Sequence, residues 1–204
     1  MTYDREKILE LFKNAPLSPL EPFTEEHNWD VLSSNPALSN NYTGYHGATR
    51  FVLVPDDKEK DFVIKIPYND NQYAPGHDWD YCATEEDRYY IAEEKGMSKY
   101  FAKIEFVGYV NNYPIYVQEK CIMNIDYVSS VNADEIHETR SLSPYRGIDP
   151  EWLTAFRLTY GKEAFFRFIN FIQDLEWDDD LYYNVGFLND LPVVVDYASY
   201  CEPV

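Results

Sequence analysis

The chain has 204 residues, 17 of them basic and 36 acidic, which gives a formal charge of −19. A protein this acidic repels phosphate backbones and anionic lipid head groups, so we expect neither nucleic acid nor a membrane surface as a partner. Hydrophobic residues make up 45% of the chain, enough for a folded core, and the composition excludes a disordered protein. Three widely spaced cysteines indicate neither a disulfide framework nor a zinc site, and we expect a cytoplasmic protein.

The N-terminal half of the sequence alternates between helical and strand patterns. Residues 4–14 carry apolar side chains at near-helical spacing, and three prolines end that pattern, which predicts a short helix and then a connection. Apolar runs at 51–54 and 62–66 flank a charged turn and predict a two-stranded hairpin. A helix is then predicted from a cap at Asp78 to a stop at Gly96.

The second half begins with strands and continues with helices. A second hairpin is predicted at 104–109 and 114–118, because Asn111 and Asn112 between them favour a tight turn. The last predicted elements are a short helix at 133–140, a long helix from Pro150 that Gly161 interrupts, and strands around 185–187 and 193–195.

A group of polar residues near the C-terminal end predicts a magnesium-dependent site. Asp179 and Asn184 are five positions apart, and Asp196 follows the apolar run 192–195. Magnesium prefers oxygen ligands, and phosphoryl transfer adds a carboxylate beside the attacking hydroxyl. We therefore predict Asn184 and Asp196 as metal ligands and Asp179 as the catalytic proton acceptor. Asp180 is the alternative acceptor if the loop is one residue shorter.

The order of features along residues 40–200 resembles the protein-kinase-like superfamily in its small bacterial or phage-type form, which includes the aminoglycoside phosphotransferases. The likeness consists of a glycine loop, a strand lysine, a helix glutamate, a hairpin, a long helix, an Asp-Asn pair and a strand-terminal aspartate. It implies a two-lobed α+β fold, with a strand-rich nucleotide lobe at 1–120 and a reduced helical lobe at 121–204.

The resemblance assigns the nucleotide contacts to the first lobe. Lys65 occupies the place of the strand lysine that pairs with the phosphates, and an ammonium in an apolar strand needs a compensating partner. Glu85 on the next helix is the implied partner, and its neighbour Glu86 remains the rival. Gly44 and Gly47 stand where the family keeps its phosphate-covering loop, although the GxGxxG pattern is absent.

The function implied by the resemblance is a kinase-like protein that binds ATP with Mg²⁺ and transfers phosphate to a hydroxyl acceptor. The segment 117–120 would meet the adenine ring through its main chain. Two alternatives stay open. One is a pseudokinase, since only eight residues follow Asp196 where an activation segment would lie. The other is an acidic, phage-type inhibitor that docks on a basic protein. Whether the protein is an enzyme is therefore open.

Overall fold

The computed structural model describes residues 1–70, 79–122, 131–143, 147–174 and 184–196. The chain divides into two compact units, of which unit 1 comprises Met1–Tyr89 and Lys103–Lys120 and unit 2 comprises Tyr90–Ala102 and Cys121–Val204. The segment Tyr90–Ala102, which the sequence assigned to the N-terminal lobe, thus belongs to unit 2. Helices occur together with an antiparallel sheet, so the α+β class is confirmed.

Unit 1 holds three N-terminal helices, a five-stranded sheet and most of a fourth helix. Its elements in chain order are α1 (Arg5–Phe12), a 3₁₀ turn (Glu25–His27), α2 (Asn28–Ser33), α3 (Pro36–Asn41), β1 (Tyr42–His46), β2 (Arg50–Pro55), β3 (Phe62–Pro67), α4 (Tyr81–Glu94), β4 (Ile104–Val110) and β5 (Tyr113–Glu119). The four strands predicted in this part of the chain are all present. The sequence did not predict β1 or the short helices α2 and α3.

The sheet of unit 1 is antiparallel throughout, with the strand order β1-β2-β3-β5-β4. The connection between β4 and β5 is the predicted tight turn, in which Asn111 and Asn112 have φ angles of 53° and 65°. Positive φ at both central residues is the signature of a type I′ hairpin, and asparagine tolerates it better than most side chains. This strand order places β3 in the middle of the sheet, between β2 and β5.

Alternation along the strands gives the sheet two different faces. One face packs against the N-terminal helices in the main core of unit 1, and its buried side chains include Phe12, Phe23, Val31, Leu38, Phe51, Leu53, Ile64, Ile66, Ile115 and Val117. The opposite face presents Arg50, Lys65 and Gln118, all buried, toward α4. Polar side chains therefore cluster on the face where a sheet covered on both sides would ordinarily carry a second apolar core.

The described part of unit 2 is mainly helical and ends in a hairpin. Its elements are a 3₁₀ turn (Ser98–Tyr100), α5 (Ala133–Leu142), α6 (Pro150–Asp174), β6 (Val185–Leu188) and β7 (Leu191–Val194). Gly96 stops α4 as predicted, since its φ is 66° and the Met97 N–H donates to the Ala92 carbonyl at 2.7 Å. No helix in the described ranges combines the length and apolar character that a bilayer crossing requires.

The helix α6 is two helices joined at Gly161, whose φ and ψ are 85° and 165°. In a straight helix the rings of Phe156 and Phe168, twelve positions apart, would be separated by about 18 Å. Their ring centroids instead lie 4.5 Å apart, and those of Trp152 and Phe168 lie 6.0 Å apart. The chain therefore folds back at Gly161, and the two halves of α6 pack their aromatic side chains against each other.

Replacing Gly161 with alanine is expected to lower the free energy of unfolding by about 1–3 kcal/mol, because this backbone region is accessible almost only to glycine. An added Cβ would meet no atom within 4 Å, so the cost is conformational and not steric. Gly47→Ala is the matched control, since its φ is not positive and its Cβ would only touch the Arg50 carbonyl at 3.6 Å. Urea unfolding should show the loss for Gly161 alone, and equal effects of the two substitutions would contradict the assignment.

Candidate functional site

The candidate site lies on the polar face of the unit 1 sheet. Lys65 is on the central strand β3, and Glu85 is on α4, which crosses that face. The Lys65 Nζ donates to both carboxylate oxygens of Glu85, at 3.0 and 2.9 Å. Lys65 is 4% exposed and Glu85 is completely buried. The structure thus brings together the strand lysine and the first of its two candidate partners.

Glu86, the rival partner, points elsewhere. Its carboxylate accepts a hydrogen bond from the Phe106 backbone N–H at 2.7 Å, and burial raises its pKa. Helical geometry explains the difference, because neighbouring positions on a helix are about 100° apart and face different surroundings. Glu85 therefore faces the centre of the sheet, whereas Glu86 reaches its edge strand β4.

Two further side chains donate to Glu85. Sequence reasoning gave neither side chain a role, although Gln118 belongs to the segment 117–120, whose main chain was expected to meet the adenine ring. The Arg50 guanidinium, from β2, reaches Oε2 at 2.5 Å, and the Gln118 amide, from β5, reaches Oε1 at 3.0 Å. Arg50 is 4% exposed and Gln118 is completely buried. The carboxylate of Glu85 therefore has donors on three adjacent strands. An arginine and a glutamine at the ends of apolar runs were the available signal, because a buried polar side chain requires a partner.

The first turn of α4 is fixed to the same face of the sheet. The Asp80 carboxylate accepts from the Ala83 N–H at 3.0 Å and from the Tyr116 hydroxyl at 2.7 Å. Burial, together with the neighbouring Asp80 charge, raises the pKa of Tyr116, so its hydroxyl stays protonated and donates. Asp80 makes the capping contact expected of Asp78, which lies outside the described residues.

Gly44 and Gly47 lie on β1 and directly after it, respectively. A Cβ at Gly44 would come within 2.7 Å of the buried Phe51 ring, so glycine at this position is required by packing. The Gly47 N–H donates to the Arg50 carbonyl at 2.9 Å and closes the turn between β1 and β2. These contacts explain the turn and the packing, and a phosphate-covering role for the two glycines remains a prediction.

The main chain of 117–120 was expected to meet an adenine ring. Residues up to Glu119 belong to β5, the Glu119 N–H donates to the Lys103 carbonyl, and the Lys120 N–H donates to the Asp61 carbonyl, both at 2.9 Å. These two donors are therefore used inside the protein. Hydrogen bonds from a base to Glu119 or Lys120 would have to be accepted by their carbonyl oxygens.

The predicted metal ligands lie at the open end of the β6 and β7 hairpin in unit 2. The Asn184 carbonyl accepts from the Val195 N–H at 2.8 Å and from the Asp196 N–H at 3.3 Å, so the hairpin holds Asn184 and Asp196 close together in the backbone. Both residues are half-buried. An amide and a carboxylate oxygen are a donor set that suits Mg²⁺, which takes few protein ligands and keeps water and phosphate oxygens. Asp179 and its alternative Asp180 lie outside the described residues.

Larger clusters of metal-binding side chains do not occur in the described ranges. No group of three or more histidine, cysteine, aspartate or glutamate side chains is arranged there to hold an ion. Comparison of the sequence with models of known protein families gives no match, and comparison with curated proteins gives none either.

Cys82 lies one turn before Glu85 on α4 and is expected to be unreactive in the folded protein. It is completely buried, and burial raises the pKa of its thiol, whereas thiolate is the reactive form. Treatment of the native protein with an aromatic disulfide reagent, followed by peptide mapping, should leave Cys82 unmodified, and labelling should appear in urea. Stoichiometric modification of Cys82 without denaturant would show that the helix does not stay docked on the sheet.

Proposed function

We propose that the protein is a kinase-like nucleotide-binding protein in which Lys65 contacts the phosphates of ATP. The observation that carries the proposal is the buried ion pair of Lys65 with Glu85 on a central strand and a crossing helix. Burying an ion pair is costly, and apolar side chains of similar volume often stabilise a protein as well or better. Stability alone is therefore a weak reason for this pair, whereas a cation held in one place suits the binding of a phosphate oxygen.

The ammonium of Lys65 has the capacity to bind a phosphate oxygen without leaving Glu85. It carries three N–H donors, and Glu85 engages it with two oxygens. The surface beside it suits a planar base. Val52 lies directly opposite Lys65 in the ladder between β2 and β3, and Val63 precedes Lys65 by two residues on the same face. Both valines are half-buried and offer apolar area to a ring.

In this proposal Asn184 and Asp196, both in unit 2, are the protein ligands of a magnesium ion. When bound, the ion would neutralise charge on the phosphates. Transfer to a hydroxyl acceptor, with Asp179 as the proton acceptor, is the enzymatic form of the proposal. The protein is then a candidate ATP-dependent phosphotransferase.

Calorimetric titration with MgATP tests the nucleotide site. We expect binding to the wild type and an affinity about 10- to 100-fold lower in Lys65→Met, the range expected for one hydrogen bond to a charged group. Lys58→Met is the matched control, because Lys58 is an exposed lysine in the turn between β2 and β3 and should leave affinity unchanged. No binding to the wild type, or full binding to Lys65→Met, would refute the proposal.

The metal site has a separate test. Asp196→Asn should weaken the dependence of ATP binding on magnesium, while affinity for ATP in the presence of a chelator should change little. Asp190→Asn, in the turn of the same hairpin, removes an equal charge and serves as the control. Identical magnesium dependence in the two variants would exclude Asp196 as a ligand.

The second candidate function is a non-catalytic protein that binds a basic partner. The formal charge of −19 is the observation that favours it. A phosphotransfer assay over a broad set of acceptors separates the candidates, since steady turnover that is lost in Asp179→Asn would exclude a pseudokinase. Partner capture that is insensitive to salt would contradict electrostatic docking.

A further inference from the structure

The carboxylate of Glu85 accepts hydrogen bonds from the strands on both sides of β3, and these bonds limit the positions open to the Lys65 ammonium. We infer that Arg50 and Gln118 are positioning residues, which fix the Glu85 carboxylate and thereby hold the Lys65 ammonium in its binding position in the ligand-free protein. The inference rests on the proposed function of Lys65 as a phosphate ligand. Neither Arg50 nor Gln118 needs to touch the nucleotide for it to hold.

The geometry of the hydrogen bonds supports this role. Arg50 donates to Oε2 and Gln118 donates to Oε1, while Lys65 bridges both oxygens. The terminal torsion of a glutamate is broad, so a carboxylate with a single partner can rotate. Here each oxygen has its own additional donor, and the two donors come from β2 and β5, on opposite sides of β3. Rotation of the Glu85 carboxylate would break one of these bonds.

The backbone of α4 is also fixed, so movement of the helix does not let the Glu85 carboxylate shift. Before Glu85 in sequence, Asp80 is bound to the Tyr116 hydroxyl, and immediately after it, Glu86 is bound to the Phe106 N–H. The helix is therefore attached to β4 and β5 independently of Glu85. A lysine side chain has several rotatable bonds and loses much rotamer entropy when fixed. With the helix and the carboxylate both fixed, that entropy is lost on folding and not on ligand binding.

With Glu85 fixed in this way, the phosphate site is assembled before any ligand binds. A site of this kind needs no movement of α4 and no activating partner, and its affinity is not reduced by a minor population of the competent state. Removing Arg50 or Gln118 should leave Lys65 in place on its strand but let its ammonium sample other positions. The predicted signature is increased chemical reactivity of Lys65 in the ligand-free protein.

Competitive acylation of the full-length, ligand-free protein with acetic anhydride, read by mass spectrometry, tests this signature. Arg50→Lys and Gln118→Met are suitable variants, since the first keeps the charge without the planar fork and the second keeps the length without the donor. We expect the Lys65 rate to rise about tenfold in each, as loss of about 1.4 kcal/mol of positioning would produce. Lys120, half-buried in the same unit with its Nζ 3.3 Å from the Pro55 carbonyl, reports general loosening.

The outcomes distinguish this inference from the proposed function. An unchanged Lys65 rate in both variants, or a rise that only parallels that of Lys120, would overturn the positioning role. MgATP titration of the same variants should show about tenfold weaker binding, and this loss should occur in Arg50→Lys although that variant keeps the positive charge. If the wild type binds no ATP, the proposed function fails, while the acylation rates still decide whether Arg50 and Gln118 fix Lys65.

Discussion

Replacing Glu85 with glutamine is expected to lower the free energy of unfolding by about 3–5 kcal/mol, because breaking a buried ion pair leaves charge without its partner. Glu85 is completely buried and accepts hydrogen bonds from Arg50, Lys65 and Gln118. Glutamine has nearly the same size, so the loss reports the charge and its hydrogen bonds and not a cavity. Urea unfolding followed by far-UV circular dichroism measures the change.

Glu93→Gln provides the control for the Glu85 substitution. Glu93 is an exposed residue of the same helix, and its replacement should change stability by less than about 0.5 kcal/mol. The double variant Lys65→Met with Glu85→Gln should be less destabilised than the two single variants added together, because the pair is coupled. Additive effects, or a Glu85 variant as stable as the control, would contradict the ion pair between Lys65 and Glu85.

Replacing Trp152 with alanine is expected to lower the free energy of unfolding by about 3–5 kcal/mol, the usual cost of truncating a buried tryptophan. Trp152 is 2% exposed, and its ring packs against those of Phe156 and Phe168 at 5.5 and 6.0 Å. Its indole N–H donates to the Gly186 carbonyl at 3.0 Å and so ties α6 to the β6 and β7 hairpin. Truncation removes both the packing and this bond.

Two variants separate these contributions of Trp152. Trp152→Phe keeps most of the ring volume but leaves the buried Gly186 carbonyl without its donor, for which we expect about 1–3 kcal/mol. Trp29→Ala is the same truncation at a side chain that is 69% exposed, and it should cost less than about 0.5 kcal/mol. Thermal and urea unfolding give both values, and equal stability of the Trp152 and Trp29 alanine variants would rule out this packing.

The fold could be predicted from the sequence where local signals are strong. Alternating apolar runs identified β2 to β5, and the Asn111-Asn112 and Gly96 signals located a turn and a helix end. The short helices between residues 28 and 41 were missed because six residues are too few for a helical period to appear. Strand β1 was missed because Gly44 interrupts its apolar alternation. The reason for a glycine at this position is visible only in the structure, where the Phe51 ring packs directly against it.

The candidate site was predictable in part for a related reason. A lysine inside an apolar strand requires a partner, and the resemblance to kinase-like proteins implied that this partner is a glutamate of the next helix. The choice of Glu85, and the roles of Arg50 and Gln118, depend on which strands neighbour β3 and in what register. The neighbour β5 is not consecutive in sequence, so local patterns do not contain this information. The role of Asp179 stays a prediction.

The interleaved course of the chain has a consequence for synthesis on the ribosome. Unit 1 is complete once residue 120 has emerged, whereas the Tyr90–Ala102 part of unit 2 is made long before its partners. Tyr100 and Phe101 must wait for Phe156 and Phe168, whose rings lie 4.9 and 6.2 Å from theirs. When only residues 1–120 have emerged, this aromatic pair therefore still lacks the α6 rings that pack against it in the folded protein. Translation speed and chaperone access over the next fifty codons should govern the yield of folded protein.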